Sequence, residues 1–409
     1  MENGSKKSKN RIKTKRRYSG SERRSGYYNH FDFLLLTFVV IISIFGLIMM
    51  YSIGGKSKVI NQGVFFTIGY VLIAVFAFVG TEIPFENFRR FVSAKGRYQH
   101  RWANEMFEDL VSIPGIILIV ATFLQFLVLV PGIGMEVNGA RRWFNLGVCT
   151  LQPAEITKIA VIIFTAYIGY TRAARLDKIR VIQYFGYVLP AIGAIAIENL
   201  SSAIIVAGIA FLVYFVVARN KLIYIAMFVA AFMLIVVYLS MGDDYRGNRY
   251  KNWKEVENYD LNSQQAKDSQ VLQGLFCIAN GGVKGTGFGR GVQKKTLPES
   301  GNDMIFAVIC EELGLIGAGV LVLIYLAILW RIMIIGKYAC SLFQTLVCYG
   351  VMAHMGLQVV LNIMVVTNSI PNTGVSLPFV SAGGTATVLQ LVEIGFVLMI
   401  SWSMKHENK

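Results

Sequence analysis

Apolar residues gather in runs of about 20 separated by short polar stretches, near residues 31–52, 63–83, 111–131, 156–171, 181–198, 200–218, 222–241, 304–335, 342–367 and 379–403. A run of that length crosses a hydrocarbon layer about 30 Å thick as a helix. Backbone groups left unsatisfied in lipid are so costly that only helices and closed barrels span, and the period-two alternation of a barrel is absent here. The pattern predicts an all-α polytopic membrane protein of about ten transmembrane helices.

Lys and Arg collect in cytoplasmic loops, which tests the count. Arg89, Arg90, Lys95, Arg97 and Arg101 lie between the second and third runs, and Arg172, Arg175, Lys178 and Arg180 follow the fourth. Arg219 and Lys221 follow the sixth, Lys337 the eighth and Lys405 the tenth. All share one side if the runs number ten, with both termini in the cytoplasm. Length alone leaves residues 181–218 as one kinked span or two of about 19 residues. A single span would put Arg180 and Arg219 on opposite sides, so two are expected, divided at Glu198 and Asn199. The organisation is then a basic cytoplasmic tail over 1–30, helices one to seven over 31–241, one large extracellular loop over 242–303, helices eight to ten over 304–404, and a cytoplasmic end over 405–409.

Composition strengthens this picture. The 409 residues are 55% hydrophobic and 15% charged, against about 25% charged in soluble domains, which leaves no room for a large soluble domain. The net charge of +15 is concentrated at the start, where ten of the first 24 residues are Lys or Arg. A tail this polar buries too little apolar surface to fold alone. Beside a span it sets topology and touches anionic lipid, at about 1 kcal/mol per basic residue, so the expected partner is membrane lipid and not nucleic acid. It is also too long and too basic for a cleaved signal peptide, and no small-residue cleavage site follows Met49 to Tyr51. The five cysteines show no CxxC spacing, which argues against both a disulfide framework and a zinc site.

The outward loop carries Arg246, Arg249, Lys284, Arg290 and Lys294, with the run GGVKGTGFGRG at 281–291. Glycine-rich backbone can present N–H groups to a phosphate; flexible turns explain the same run equally well. No βαβ unit surrounds it and it faces away from cytoplasmic nucleotides, so a dinucleotide site is not indicated. Asp303 stands where the loop enters the eighth run. By position alone it reads as a helix N-cap, with a general base at the membrane surface as the other reading. Glu311 and Glu312 would lie about 12–14 Å deeper by helix rise. At such depth ionisable groups face a cavity or a partner. A rotation of about 100° per residue separates them from Asp303, so they are expected to fix helix packing.

Other polar residues have a structural and a functional reading. Glu155 and Lys158, at i and i+3, neutralise each other on one helix face. Arg141 and Arg142, followed by Trp143, suit a pyrophosphate, although Arg and Trp also anchor spans at the headgroup level. His354, Gln358 and Asn362 form a polar stripe, read first as hydrogen-bonded helix glue and second as the lining of a polar cavity. Before the tenth span, IPNTG, LP and then Ser381, Ala382, Gly383 and Gly384 mark broken helix ends of the kind that line a cavity.

Taken together, GARRWFNLG (139–147), LQPAEITK (151–158), ENLSSA (198–203), ANGGVKGTGFGRGVQKKTLPES (279–300), NDMIFAVICEELGLIG (302–317) and LPFVSAGG (377–384) resemble the SEDS family of cell-wall polymerases, the group containing FtsW, RodA and SpoVE. The resemblance covers nearly the whole chain after residue 30. It implies a peptidoglycan glycosyltransferase in the bacterial cytoplasmic membrane. Such an enzyme polymerises lipid II, an undecaprenyl pyrophosphate-linked disaccharide-pentapeptide, into glycan strands for division or cell shape, alongside a class B penicillin-binding protein transpeptidase. The family's essential aspartate falls on Asp303, which displaces the N-cap reading. In the implied inverting transfer, Asp303 takes the proton of the acceptor GlcNAc 4-hydroxyl as it attacks the donor MurNAc anomeric carbon. Arg141, Arg142, Arg246, Arg249, Lys284, Arg290 and Lys294 are then candidates to stabilise the leaving pyrophosphate. Glu155, Lys158, Glu311, His354, Gln358, Asn362 and Ser381 are structural or cavity-lining candidates. No cofactor is certain; a divalent cation is compatible, with no ligands that the sequence names.

The chain has Ala154 where the family usually has Ser, Ala382 for Tyr, Met304 for Phe, and Gly301 and Asn302 for His and Thr. None of these removes a carboxylate or a cation. The ENLSS stretch leans toward the division or sporulation branch. Two competing readings are a lipid II flippase, with the His354 stripe and Glu198 lining its path, and a non-catalytic scaffold that recruits a transpeptidase. The absence of an internal repeat weighs against a transporter.

Overall fold

The computed structural model describes residues 31–82, 109–137, 140–147, 149–172, 178–218, 221–222, 224–226, 229, 253 and 269–403. Among them, six helices are long and apolar enough to cross a membrane. The seventh expected span, 222–241, falls largely outside the described residues, as does the basic tail.

The first helix, α1 (Phe33–Glu82), merges the first two expected spans and the polar stretch between them. Its apolar part, Phe33–Phe78, has 46 residues, about 69 Å of helix, or twice a bilayer core. Gly55 breaks it with φ 65° and ψ −160°, a left-handed conformation that glycine adopts without a Cβ penalty. The Tyr70 hydroxyl then reaches Ser43 Oγ at 2.9 Å and Val39 O at 3.3 Å. Residues 43 and 70 would stand about 40 Å apart on a continuous helix, so the two arms fold back along each other.

Ser112 caps α2 (Ile113–Val128), accepting from Gly115 N at 3.2 Å. A small antiparallel sheet follows, made of β1 (Met135–Val137), β2 (Ala140–Asn145) and β3 (Thr150–Leu151) in the order β1-β2-β3. It adds three strands to an otherwise helical fold that the apolar pattern reads as all-α. Next come α3 (Pro153–Arg172), α4 (Lys178–Glu198) and α5 (Leu200–Val217). Asn199 alone separates the last two and caps α5, its side chain accepting from Ser202 N at 3.1 Å.

Within the stretch 242–303 lies α6 (Gln270–Gly281), capped by Ser269. After α7 (Ile305–Lys337) come α8 (Leu342–Val366), started by a capping box of Ser341 and Gln344, and α9 (Thr385–Ser403). At the start of α1, Asp32 accepts from Arg331 at 2.6 Å and its N–H donates to Ser401, tying α1, α7 and α9 together.

Gly314, with φ 67°, breaks α7 as Gly55 breaks α1. A break frees carbonyls and N–H groups that must find other partners. Here the glycine-rich loop supplies them. Thr286 N and Gly287 N donate to the carbonyls of Glu311 and Glu312 at 2.9 and 3.0 Å, while Leu315 N and Ile316 N donate to Gly282 O and Val283 O at 3.0 and 3.2 Å. Residues 315–337, about 34 Å of helix, suffice to span the membrane. Glu311 and Glu312 therefore sit against the glycine-rich loop, not deep in a continuous span as helix rise from Asp303 suggests.

Candidate active site

Asp303 lies one residue before the N-cap of α7, which is Met304, and that cap makes no side-chain hydrogen bond. Asp303 is 8% exposed. Gln270, at the start of α6, donates its side-chain amide to Asp303 Oδ1 at 3.0 Å. Oδ2 faces the loop after α8, where a Cβ on Gly374 would stand 3.8 Å away.

The backbone around Asp303 is irregular, so its buried polar groups need partners from outside a helix. Side chains supply them. Asn362 on α8 donates to both Asp303 O and Val375 O at 2.7 Å. Ser381 Oγ donates to Asn302 O at 2.6 Å and accepts from Leu377 N at 2.7 Å, and Ala382 N donates to Gly301 O at 2.9 Å. Gln358 donates to Ser376 O at 2.9 Å, Tyr325 to Pro378 O at 2.5 Å, and Ser201 to Thr373 O at 2.5 Å. Residues 301–303 are thereby laced to the segment between α8 and α9. The stripe on α8 acts as glue between elements, and its third member, His354, meets a partner that sequence reasoning missed: Glu393 on α9, with Nδ1 2.8 Å from Oε2 and both side chains buried.

The glycine-rich loop does cradle an anion, and the anion is the protein's own. Glu311 accepts from Val292 N and Gln293 N at 2.8 Å, Lys294 N at 3.1 Å and Asn280 Nδ2 at 3.0 Å. Glu312 accepts from Gly289 N at 3.1 Å and Ser52 Oγ at 2.5 Å, and forms an ion pair with the Lys294 ammonium. Lys294 also donates to Ser52 O at 3.0 Å. The two carboxylates are adjacent in sequence and join the loop to neighbouring helices, Glu312 through Ser52 on α1 and Glu311 through Asn280 on α6. Of the 281–291 run, Gly289 N points at Glu312, and the Lys294 charge, expected to stabilise pyrophosphate, is buried against Glu312. Burial, and next the nearby Glu311 carboxylate, push the Cys277 thiol on α6 up to about 12.

The remaining cations divide by surroundings. Lys284 and Arg290 are exposed on the loop. Arg141 on β2 pairs with Glu136 at 3.0 Å, and its N–H donates to Glu198 Oε2 at 3.0 Å. Arg142 is half-buried beside it. Arg246 and Arg249 lie outside the described residues. Lys158 and Glu155 are buried together at 2.7 Å on α3. Lys58, near the break in α1, belongs to no motif in the sequence; its Nζ would stand 3.4 Å from a Cβ placed on Gly301. Gln270 was also missed, because 242–303 reads as one loop. The available indicator was Ser269 preceding Val271, Leu272, Leu275 and Ile278 at helical spacing. Among the described residues, no cluster of three or more His, Cys, Asp or Glu side chains is placed to hold a metal ion.

The model of the cell cycle protein family of FtsW, RodA and SpoVE matches residues 32–406. A probable peptidoglycan glycosyltransferase FtsW of Trichlorobacter lovleyi is 32% identical over 389 residues, covering 92% of this chain and 94% of the relative. The stage V sporulation protein E of Bacillus subtilis is 33% identical over 293 residues, covering 70% of this chain and 78% of the relative. Among solved structures, a chain of a peptidoglycan synthase complex that coordinates polymerization and crosslinking superposes with TM-score 0.70 at 22% identity, covering 91% of this chain and 98% of that one. The rod shape determining protein RodA of Thermus thermophilus superposes with TM-score 0.62 at 22% identity, covering 91% and 96%.

Proposed function

This chain belongs to the FtsW, RodA and SpoVE family and is a multi-pass membrane peptidoglycan glycosyltransferase of wall synthesis; within that activity we propose that Asp303 is the general base that polymerises lipid II. The observation that carries the reading is the setting of Asp303. Its carboxylate is oriented by the Gln270 amide, and its main chain is clamped by Asn362, as a proton acceptor held in one place requires. The acceptor sugar's 4-hydroxyl gives its proton to Asp303 as it attacks the donor's anomeric carbon, and the bond to the undecaprenyl pyrophosphate breaks with inversion. Base help supplies about 10²–10⁴ in rate, and stabilisation of the pyrophosphate supplies much of the remainder.

Among the described residues, Lys58, Lys284 and Arg290 are exposed cations that suit that pyrophosphate, and Arg142 is half-buried. Arg141 is a weaker member of the set because Glu136 already engages it. The sugar and phosphates would approach from the extracellular side, with both termini in the cytoplasm, and a class B penicillin-binding protein would crosslink the product. The solved synthase complex, which coordinates polymerization with crosslinking, supports that partnership. Asp303→Ala should abolish polymer formation from purified lipid II while thermal unfolding stays at the wild-type temperature. Polymer formation by that variant at the wild-type level would remove the proposed base.

A further inference from the structure

Three hydrogen bonds in series end on the Asp303 carboxylate, and each fixes the direction of the next. Gly374 N donates to Asn372 Oδ1 at 3.1 Å. That bond orients the Asn372 amide so that its Nδ2 donates to Gln270 Oε1 at 2.9 Å. With its oxygen so engaged, Gln270 turns its Nε2 to Asp303 Oδ1 at 3.0 Å. A side-chain amide is nearly symmetric in shape and can present either its oxygen or its NH₂ to a neighbour. Against a carboxylate the difference is large: a donated N–H favours the ionised form, and an oxygen repels it. Gly374 begins the series and also lies beside Oδ2, so residues 372–374 and Gln270 enclose the carboxylate from two sides.

We propose that Gln270 is a positioning residue for Asp303, and that Asn372 sets its polarity, so that the relay holds the carboxylate ionised and in one orientation for proton abstraction. Neither residue touches the reacting sugars in this proposal; both act through Asp303. The inference rests on the reading of Asp303 as the base.

The test is Asn372→Asp in the full-length protein, reconstituted with lipid II. Aspartate keeps the acceptor for Gly374 N but loses the donor to Gln270. Gln270 then turns its NH₂ toward residue 372 and its oxygen toward Asp303. The ionised base is disfavoured, so the acid limb of the rate-against-pH profile should move to higher pH by about one unit, with kcat at any pH on that limb falling about tenfold. KM for lipid II should stay within twofold. Gln270→Ala should also raise the acid limb, and in that background Asn372→Asp should add less than it does alone, because only its through-space charge remains once Gln270 is gone. An acid limb at the wild-type pH in both single variants, or additive effects in the double variant, would overturn the relay. Thermal unfolding of each variant separates misfolding from this outcome. Asp303→Ala in the same assay separates the two levels: activity there defeats the base reading itself, whereas an inactive Asp303→Ala with unshifted relay variants defeats only the relay.

Discussion

Asn362 carries the main-chain carbonyl of Asp303 on its side-chain amide at 2.7 Å, and carries Val375 O on the same group at 2.7 Å. One buried side chain thus fixes both the residue that bears the carboxylate and the strip of chain opposite it. Replacing it with Leu, which fills similar space, leaves two buried carbonyls without that donor. Each such loss costs about 1–3 kcal/mol. Asn362→Leu should lower the unfolding temperature measurably and reduce polymerisation by tenfold or more. Wild-type values of both would show that the clamp is dispensable.

Lys294 and Glu312 are buried against each other beside Ser52. Removing one member of such a pair costs about 3–5 kcal/mol because the other charge is left uncompensated. Lys294→Met should therefore destabilise the fold strongly, and adding Glu312→Gln should recover part of the loss. Differential scanning fluorimetry of the single and double variants gives the coupling. A stable Lys294→Met protein with a raised KM for lipid II would instead return Lys294 to the pyrophosphate.

At Gly314 a Cβ would lie 2.4 Å from both Gly285 N and Val283 O, which are main-chain atoms, and the residue also has φ 67°. Alanine is strained by the backbone alone, by about 1 kcal/mol or more, and pushes away the loop that completes the broken helix. Gly314→Ala should lower the unfolding temperature by several degrees, and protease nicking between residues 281 and 295 should become faster. Unchanged nicking would mean that the loop is held without this junction.

The Cys277 thiol, raised to about 12 by burial and then by Glu311, stays protonated at pH 8. Only the thiolate reacts with alkylating agents, and at that pH it amounts to roughly one part in ten thousand. Iodoacetamide at pH 8 should label the exposed Cys340 and leave Cys277 untouched, as peptide mass mapping can show. Labelling of Cys277 at the rate of Cys340 would place α6 away from Glu311.

Much of the helical architecture is legible in the apolar runs, because lipid forces hydrophobic length and helix formation to coincide. The break at Gly314 is not, since ICEELGLIG reads as continuous helix and only the loop that supplies its missing bonds makes the break stable. For the same reason Glu311 and Glu312 look like deep membrane charges in sequence and are loop anchors in the structure. Asp303 is legible only through its resemblance motif; its position alone suggests a cap. Gln270 and Glu393 escape notice because each matters through a residue distant in sequence, 33 positions away for Gln270 and 39 for Glu393. The strands β1 to β3 escape because their pairing is local, short and set among Arg and Trp residues that equally mark an interface.

The most direct measurement is the initial rate of glycan polymerisation from lipid II by Asp303→Asn, with lipid II binding measured on the same preparation. Asparagine keeps the shape of the side chain and an oxygen for Gln270 but accepts no proton at neutral pH. The rate should fall by about 10²–10⁴ with affinity unchanged. A rate within tenfold of the wild type, on a folded protein that binds lipid II normally, would contradict the assignment of Asp303 as the base.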